Sequence, residues 1–326
     1  MRFYIVDVFA ESRLSGNQLA IFRDCKKLST ASMQRIAQEM HYSETTFIAS
    51  EEPHSGGYDV RVFTPGYELP FAGHPTLGTA YIVQSQIIGK PVQKVVLNMK
   101  VGQIPVTFSY RDGAPDVLWM RQKNPTFGRT FNRERIAKIL GLKASDIDAR
   151  FPVRLVSTGV PFVIVPLIGL KAIRGIKVDQ TGLARLFKET DTTVILLFSP
   201  ETYSKENDLN VRVLGLPDII PEDPATGSGN GCLAAYLIKE RYLGRDSIDI
   251  RVEQGYEIDR RSLLLLRAKK TPGGIEVNVG GRVQFVAKGE FPKFVGFHGG
   301  KHVRRTVQAK SSPQRIPPIW GRNARS

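Results

Sequence analysis

Two segments of this 326-residue chain, far apart in sequence, follow the same pattern. Each begins with a strand-like run, VRVF at 60–63 and VRVL at 211–214, and continues through a turn that contains proline. Each then opens a helix rich in Ala, Leu and Tyr, at Gly73 in the first segment and at Gly227 in the second. Such a repeat predicts two copies of one structural unit.

The match continues upstream in the same order, which chance explains poorly. Three further pairs of segments correspond: LSGNQLAIF with STGVPFVIV, the amphipathic STASMQRIAQEM with DQTGLARLFKE, and SETTFIAS with TDTTVILLF. We therefore predict a first half at residues 1–128 and a second half at residues 129–297, followed by a tail at residues 298–326.

The helix that opens at each repeated turn is apolar on almost every side. The segment CLAAYLI, for example, meets charged residues only at its far end. A helix that is apolar all round belongs in an interior, and short runs of β-branched and aromatic residues are typical of strands. We predict an α/β protein of two pseudo-symmetric halves, each a curved sheet or barrel wrapped around a central helix. Pro75 favours a helix that begins there, and Gly89 and Gly244 are predicted to end the two helices.

The net charge of +15 raises the question of nucleic-acid binding, but its distribution argues against it. Residues 301–326 hold seven basic residues and no acid, whereas residues 1–300 hold 39 basic and 31 acidic residues. The tail lacks clear periodicity and is predicted to be a flexible extension. Weak binding of RNA or of a membrane surface through the tail is a lesser alternative. No segment approaches the ~18 apolar residues of a membrane span.

The start of the chain and its two cysteines indicate a cytoplasmic protein. The opening MRFYIVDVFAES lacks the long apolar core of a signal peptide. Cys25 and Cys232 are too few for a disulfide framework and lack metal-ligand spacing. Both are therefore predicted to be reduced, packed thiols.

The two repeated helix starts form the candidate functional site. Helix N-termini carry unpaired N–H groups and partial positive charge, and glycines such as Gly73 and Gly227 let a ligand approach the backbone closely. If the two ends face each other across a cleft, backbone donors could hold a carboxylate there. The alternative is that both are ordinary capped helices without a ligand.

Ionisable residues beside that cleft are the candidates for acid–base chemistry: Glu44, His74 and Asp223, with Glu222 nearby in sequence. A carboxyl group in an apolar cleft has a raised pKa and can both take and give a proton near neutral pH. The structural alternatives are an exposed strand-end acid for Glu44, a helix-capping side chain for His74 and a turn residue for Asp223. The nucleotide, phosphate-loop, zinc-protease and serine-hydrolase motifs are absent, so no cofactor and no metal are predicted.

These residues lie in motifs that resemble the PhzF family, the phenazine-biosynthesis isomerase-like proteins. The resemblance spans residues 1–291 and rests above all on GHPT and EDPATGS, in that order. Other matching stretches are VDVFAESRLSGNQLAIF, MQRIAQEMHYSETTFI, STGVPFVIVPL and GGRVQFVAKGEF. The resemblance implies the diaminopimelate-epimerase-like fold, with the site between two pseudo-symmetric halves, and a homodimer.

The resemblance also implies a cofactor-independent isomerase of a small carboxylated, amino-bearing substrate. A glutamate matching Glu44 would move a proton from C3 to C1 of a dihydro-hydroxyanthranilate, while His74 and Asp223 would contact the substrate or relay a proton. Backbone N–H groups would hold the substrate carboxylate near three residues: Gly73, Gly227 and Ser228.

The chain also differs from the patterns of its relatives. Sister epimerases use two cysteines as acid and base, and Ala72 and Thr226 occupy the approximately corresponding positions here, so racemisation by a thiol pair is not expected. Gln18 stands where the PhzF family often has proline, Asp259 where glycine is common, and the basic tail is extra. The natural substrate stays open, and the alternative function is a non-catalytic protein that binds small carboxylates on the same scaffold.

Overall fold

The computed structural model describes residues 1–216 and 221–292. Eighteen strands within these residues form one continuous sheet, and six α-helices pack with it. The strands are β1 (Arg2–Val8), β2 (Asn17–Phe22), β3 (Thr45–Ile48), β4 (Tyr58–Phe63), β5 (Glu68–Leu69), β6 (Lys94–Met99), β7 (Gly102–Arg111), β8 (Ala114–Arg121), β9 (Thr126–Phe131), β10 (Val153–Ser157), β11 (Pro161–Pro166), β12 (Val194–Ser199), β13 (Leu209–Gly215), β14 (Glu222–Asp223), β15 (Ser247–Gln254), β16 (Ser262–Thr271), β17 (Gly274–Gly281) and β18 (Val283–Glu290). The helices are α1 (Thr30–Met40), α2 (Gly73–Ile82), α3 (Arg133–Leu140), α4 (Leu170–Arg174), α5 (Gln180–Thr190) and α6 (Gly227–Lys239). A π-helical turn, Val83–Ile88, continues α2.

The strand pairing repeats, which confirms the predicted pseudo-symmetry. In the first half β2 and β3 run parallel, β4 pairs antiparallel with β3 and β5, and β4 runs parallel to β6. In the second half β11 to β15 pair in the same pattern. The hairpins β6–β7–β8 and β15–β16–β17 then follow in each half.

The two halves also exchange strands. β8 pairs with β17, which joins the halves directly. β9 then pairs with β10 of the second half, while β18 pairs with β1 of the first. The predicted limit between residues 128 and 129 falls within β9, and the division itself stays a prediction. Residues 293–297 of the predicted second half and the tail at 298–326 lie outside the described residues.

The two central helices are buried, as predicted from their composition. Every residue of α2 except Tyr81 is buried, and in α6 only Ser228 and Lys239 are not. A Cβ added at Gly78 would lie 2.6 Å from a methyl carbon of Leu19, so a glycine is needed where α2 packs on the sheet. Leu77 of α2 and Leu233 of α6 belong to the same core cluster.

The predicted helix starts at Gly73 and Gly227 are confirmed, whereas Pro75 is not the first helical residue and one of the two predicted ends is wrong. The helical run of the first half does end at Gly89, where φ is +69°. However, α2 begins two residues before Pro75, because a proline without an N–H fits anywhere in the first turn. α6 ends at Lys239 rather than near Gly244, because Arg241 adopts a left-handed conformation and the Tyr242 N–H donates to the Leu237 carbonyl at 3.0 Å.

The two amphipathic helices, α1 and α5, pack in core clusters separate from the one that contains α2 and α6. Ser29 caps α1 by accepting from the Ser32 N–H, and Asp179 caps α5 by accepting from the Thr181 N–H.

Cys25 and Cys232 are buried free thiols, which confirms the prediction that both are packed and unpaired. Within residues 1–216 and 221–292, we find no helix with the length and apolar character to span a bilayer.

Candidate active site

A cavity of about 120 Å³ lies where the N-termini of α2 and α6 meet. A Cβ added at Gly73 would be 3.2 Å from the Ser228 backbone nitrogen and 3.4 Å from the Gly227 Cα, so the two helix starts are in close contact. All six residues predicted for the site line this cavity: Glu44, Gly73, His74, Asp223, Gly227 and Ser228. The structure thus brings the whole predicted set together.

The two helix starts have equivalent caps. Ala72 is the N-cap of α2 and Thr226 is the N-cap of α6, in agreement with the approximate correspondence inferred from sequence. Among the described residues, no side chain caps the N–H groups of either helix. These first-turn N–H groups leave donors and partial positive charge at the cavity.

Glu44 precedes β3 and its carboxyl enters the cavity. Its side chain is 13% exposed, and Oε2 has no hydrogen-bond partner among the described residues. Burial raises the pKa of Glu44 from its ordinary value of 4.5 to about 8, and repulsion from Asp223 adds to the shift. The carboxyl is therefore largely protonated but ready to ionise near neutral pH.

His74 is buried beside Glu44, with its Nε2 3.5 Å from Glu44 Oε2. The same Nε2 lies 3.3 Å from the Gln18 carbonyl oxygen, and because a carbonyl only accepts, Nε2 carries a proton in this contact. Burial lowers the pKa of His74 to about 3, against the opposing effect of that hydrogen bond. At neutral pH the two side chains are thus a neutral imidazole and a mostly protonated carboxyl rather than an ion pair.

Asp223 is held by donors from both halves of the chain. Asn17 Nδ2 donates to Oδ1 at 2.8 Å, and Thr226 Oγ1 donates to Oδ2 at 2.5 Å. Burial raises the pKa of Asp223 to about 6, while these two donors stabilise the ionised form and oppose the shift. Asp223 is therefore mostly ionised at neutral pH, when Glu44 is not.

An amide network around Asp223 was not predicted from the sequence. Gln254 Nε2 donates to the Asp223 carbonyl at 2.8 Å and to Thr226 Oγ1 at 3.0 Å, and its Oε1 accepts from Asn230 Nδ2 at 2.9 Å. Asn17 also donates to the Ala225 carbonyl at 2.9 Å. The EDPATGS turn is therefore fixed by side chains that are distant in sequence.

Glu222, in contrast, serves the fold. It forms a two-point ion pair with Arg212, at 2.9 and 2.6 Å, and Glu68 pairs with Arg61 in the same way in the first half. The repeated pairing ties β14 to β13 and β5 to β4.

Among residues 1–216 and 221–292, no group of three or more His, Cys, Asp or Glu side chains could hold a metal ion.

The cavity is symmetric in backbone but asymmetric in chemistry. Since Ala20 pairs with Thr45 and Val163 with Ile195, the counterpart of Glu44 in the second half is Val194. The counterpart of Asp223 is Leu69, because these residues pair with Val213 and Val62 respectively. Both counterparts line the cavity. Both carboxyl groups therefore have an apolar side chain at the symmetry-related position, whereas His74 corresponds to Ser228.

The sequence matches one protein family over most of its length. The family model PhzC-PhzF, described as phenazine biosynthesis-like protein, matches residues 6–289. An uncharacterised isomerase of Mesorhizobium japonicum is 32% identical over 297 residues, which cover 88% of this chain and 97% of the relative. The trans-2,3-dihydro-3-hydroxyanthranilate isomerase of Pseudomonas aeruginosa is 32% identical over 268 residues, which cover 82% of this chain and 90% of that enzyme.

Solved structures agree with this result. A PhzF-family protein of Bacillus anthracis aligns with a TM-score of 0.81 at 27% identity, covering 90% of this chain and 99% of the other. A probable proline racemase from Agrobacterium radiobacter, at 10% identity, has a TM-score of 0.59 over 90% of this chain and 93% of its own, and so shares the fold. The predicted epimerase-like fold is confirmed, and the chain belongs to the phenazine biosynthesis-like (PhzF) family of isomerases.

Proposed function

We propose that this isomerase moves a proton between two carbons of a small carboxylated substrate, with Glu44 as the acid–base group and without a cofactor. In one step the Glu44 carboxylate removes a proton from the first carbon, and in the next the resulting carboxylic acid returns it to the second. The observation that carries the proposal is the buried Oε2 of Glu44, which lies in a cavity between two helix N-termini and has no hydrogen-bond partner in the described part of the chain.

The pKa of Glu44 supports this assignment. A group that must act first as base and then as acid works best when its pKa lies near the operating pH. Burial raises the pKa of Glu44 to about 8, so both forms are accessible near neutral pH. A carboxyl within reach of both carbons needs no second protein group to complete the transfer.

The asymmetry of the cavity favours one base over two. A racemase that inverts a carbon centre needs an acid and a base on opposite faces of the substrate. Here the symmetry-related helix caps are Ala72 and Thr226, and the symmetry-related counterpart of Glu44 is Val194. An alanine and a valine cannot transfer protons, which supports removal and return of the proton on a single face.

The remaining residues fit binding roles. We propose that backbone N–H groups near Gly73, Gly227 and Ser228 hold the substrate carboxylate, since the helix starts present donors and partial positive charge. His74 and Asp223 would bind amino or hydroxyl groups of the substrate. Asp223, with a pKa of about 6, is suited to bind a cationic amino group at neutral pH.

The first substrate to test is trans-2,3-dihydro-3-hydroxyanthranilate, on which the Pseudomonas aeruginosa relative is named as acting. Proton NMR in deuterated buffer should show loss of the substrate signals and growth of isomer signals in the presence of the wild-type protein. If the compound binds but neither converts nor exchanges its protons with solvent, the chain is a carboxylate-binding protein instead. Absence of binding would turn the search to other small carboxylates.

The pH profile of the reaction gives an independent prediction. We expect kcat/KM to rise with pH and to level off above about pH 8, because the free enzyme needs ionised Glu44 to remove the first proton and the pKa of Glu44 is about 8. Below about pH 6 the slope should steepen as Asp223 becomes protonated. Initial rates at constant ionic strength would test this. A profile that is level between about pH 6 and 9 would contradict Glu44 as the base.

A further inference from the structure

A second, smaller cavity adjoins the catalytic one. It has a volume of about 70 Å³, and Phe71 and Val160 form part of the wall of both cavities. We call it the annex and define it by Arg121, Gln122 and Lys123, three of the polar residues that line it. These residues lie at the end of β8 and directly after it. A substrate held at the helix starts could therefore extend past Phe71 into this space.

The annex carries positive charge. The exposed side chains of Arg121 and Lys123 line it, and among residues 1–216 and 221–292 no Asp or Glu side chain does. Among the described residues, neither cation forms an ion pair or a side-chain hydrogen bond, whereas Arg61, Arg212 and Arg282 are paired with carboxylates. Two unneutralised cations at one small cavity favour an anionic occupant.

Gln122 adds a buried donor that has no acceptor. The residue is 7% exposed, and its Nε2 has no hydrogen-bond partner among the described residues. Its backbone N–H donates to the Val277 carbonyl at 2.9 Å, and its Oε1 lies 3.0 Å from where a Cβ on Gly231 of α6 would be. The side chain thus packs against α6 at Gly231, and a buried donor without a partner is costly unless a ligand supplies the acceptor.

We propose that the annex is a substrate subsite that binds a second anionic group, of the size of a carboxylate. The inference rests on the proposed function, in which the first carboxylate binds at the starts of α2 and α6. It specifies the substrate class as small dicarboxylates, or carboxylates with an equivalent second acidic group. A dihydro-hydroxyanthranilate, with its single carboxylate, would leave the annex to water and bind more weakly.

The test compares probes that differ by one carboxylate. Isothermal titration calorimetry would measure the binding of benzoate, phthalate, isophthalate and terephthalate to the full-length protein. The NMR signals of the His74 imidazole would report whether each probe occupies the catalytic cavity. At least one dicarboxylate should bind about tenfold more tightly than benzoate, the gain that two exposed cations and one buried amide donor can provide.

Variants then locate the gain. Arg121→Ala combined with Lys123→Ala should remove the advantage of the dicarboxylate and leave benzoate within about twofold of wild type. Gln122→Glu, which keeps the shape but replaces the donor with an acid, should do the same. The control is Lys27→Ala combined with Arg245→Ala, which removes two exposed positive charges that line neither cavity and should leave the advantage intact.

The outcomes separate the two proposals. If benzoate binds and shifts the His74 signals but no dicarboxylate binds more tightly, the annex is not an anion subsite and the proposed function stands. If the advantage survives in both annex variants, the second carboxylate binds elsewhere and the proposal is overturned. If no probe shifts the His74 signals, the carboxylate site at the helix starts is wrong, and the annex proposal falls with it.

Discussion

Replacing Glu44 with glutamine is expected to lower kcat by at least about 10³-fold, because general acid–base groups contribute about 10² to 10⁴ each and one group serves both steps here. The amide keeps the size and shape of the side chain but neither takes up nor releases a proton near neutral pH. His74 cannot replace it, since burial lowers the pKa of His74 to about 3 and leaves it a weak base. Binding of the substrate carboxylate at the helix starts should persist.

Three measurements make this prediction specific. The Glu44→Gln protein should bind a non-reacting carboxylate such as 3-hydroxyanthranilate about as tightly as wild type, which shows that the cavity is intact. Glu44→Asp should retain part of the activity, because a carboxyl group is present but displaced by one methylene. Glu206→Gln makes the same chemical change at a side chain that is 83% exposed and should have no effect. Wild-type turnover by Glu44→Gln would remove Glu44 from the mechanism.

The same substitution is expected to remove a loss of stability that wild type suffers as the pH rises. That loss is roughly 3–5 kcal/mol of unfolding free energy, since each unit of pKa shift corresponds to about 1.4 kcal/mol. The carboxyl of Glu44 has an ordinary pKa of 4.5 when exposed and a pKa of about 8 in the folded protein. Between these values the folded state holds a proton that the unfolded state has released. Raising the pH through this window therefore favours unfolding of wild type, and the loss is complete above about pH 8.

Glutamine does not titrate, so the loss should be absent in the variant. Denaturant unfolding of both proteins at about pH 5 and about pH 9 would give the difference in their unfolding free energies at each pH. From the lower to the higher pH, the unfolding free energy of Glu44→Gln should rise relative to that of wild type. The cost of burying an amide is the same at both pH values and therefore cancels when the two differences are compared. Equal pH dependence in the two proteins would mean that Glu44 has an ordinary pKa and is not poised as an acid–base group.

The fold followed from the sequence because the repeat is local in each half. VRVF and VRVL, and the two apolar helices, carry the same pattern of burial, so each copy supports the interpretation of the other. The six predicted site residues converge because they occupy the repeated helix starts or adjoin them in the fold. Position relative to the repeat was therefore enough to predict that the site lies between the halves.

The amide network around Asp223 and the annex were not predicted, because both depend on contacts between segments that are distant in sequence. Asn17 donates to Asp223 from the other half and Gln254 donates to it from a distant strand of the same half, and neither residue has a local pattern that distinguishes it from a turn or strand residue. Asn17 lies in the stretch VDVFAESRLSGNQLAIF that resembles the family, but that match does not reveal its hydrogen bond to Asp223. The annex likewise forms only when β8 is placed beside β17 and the start of α6.

The strand exchange between the halves has a consequence for synthesis on the ribosome. One edge of β1 can pair with β2 soon after both emerge, but its other edge stays unpaired until β18, the last strand of the described residues, has been made. During that interval the nascent chain presents an open strand edge, which is a template for pairing with another chain. If the two halves arose by gene duplication, this exchange would also make each copy depend on the other, because each half pairs one of its strands with a strand that follows or precedes it from the other half.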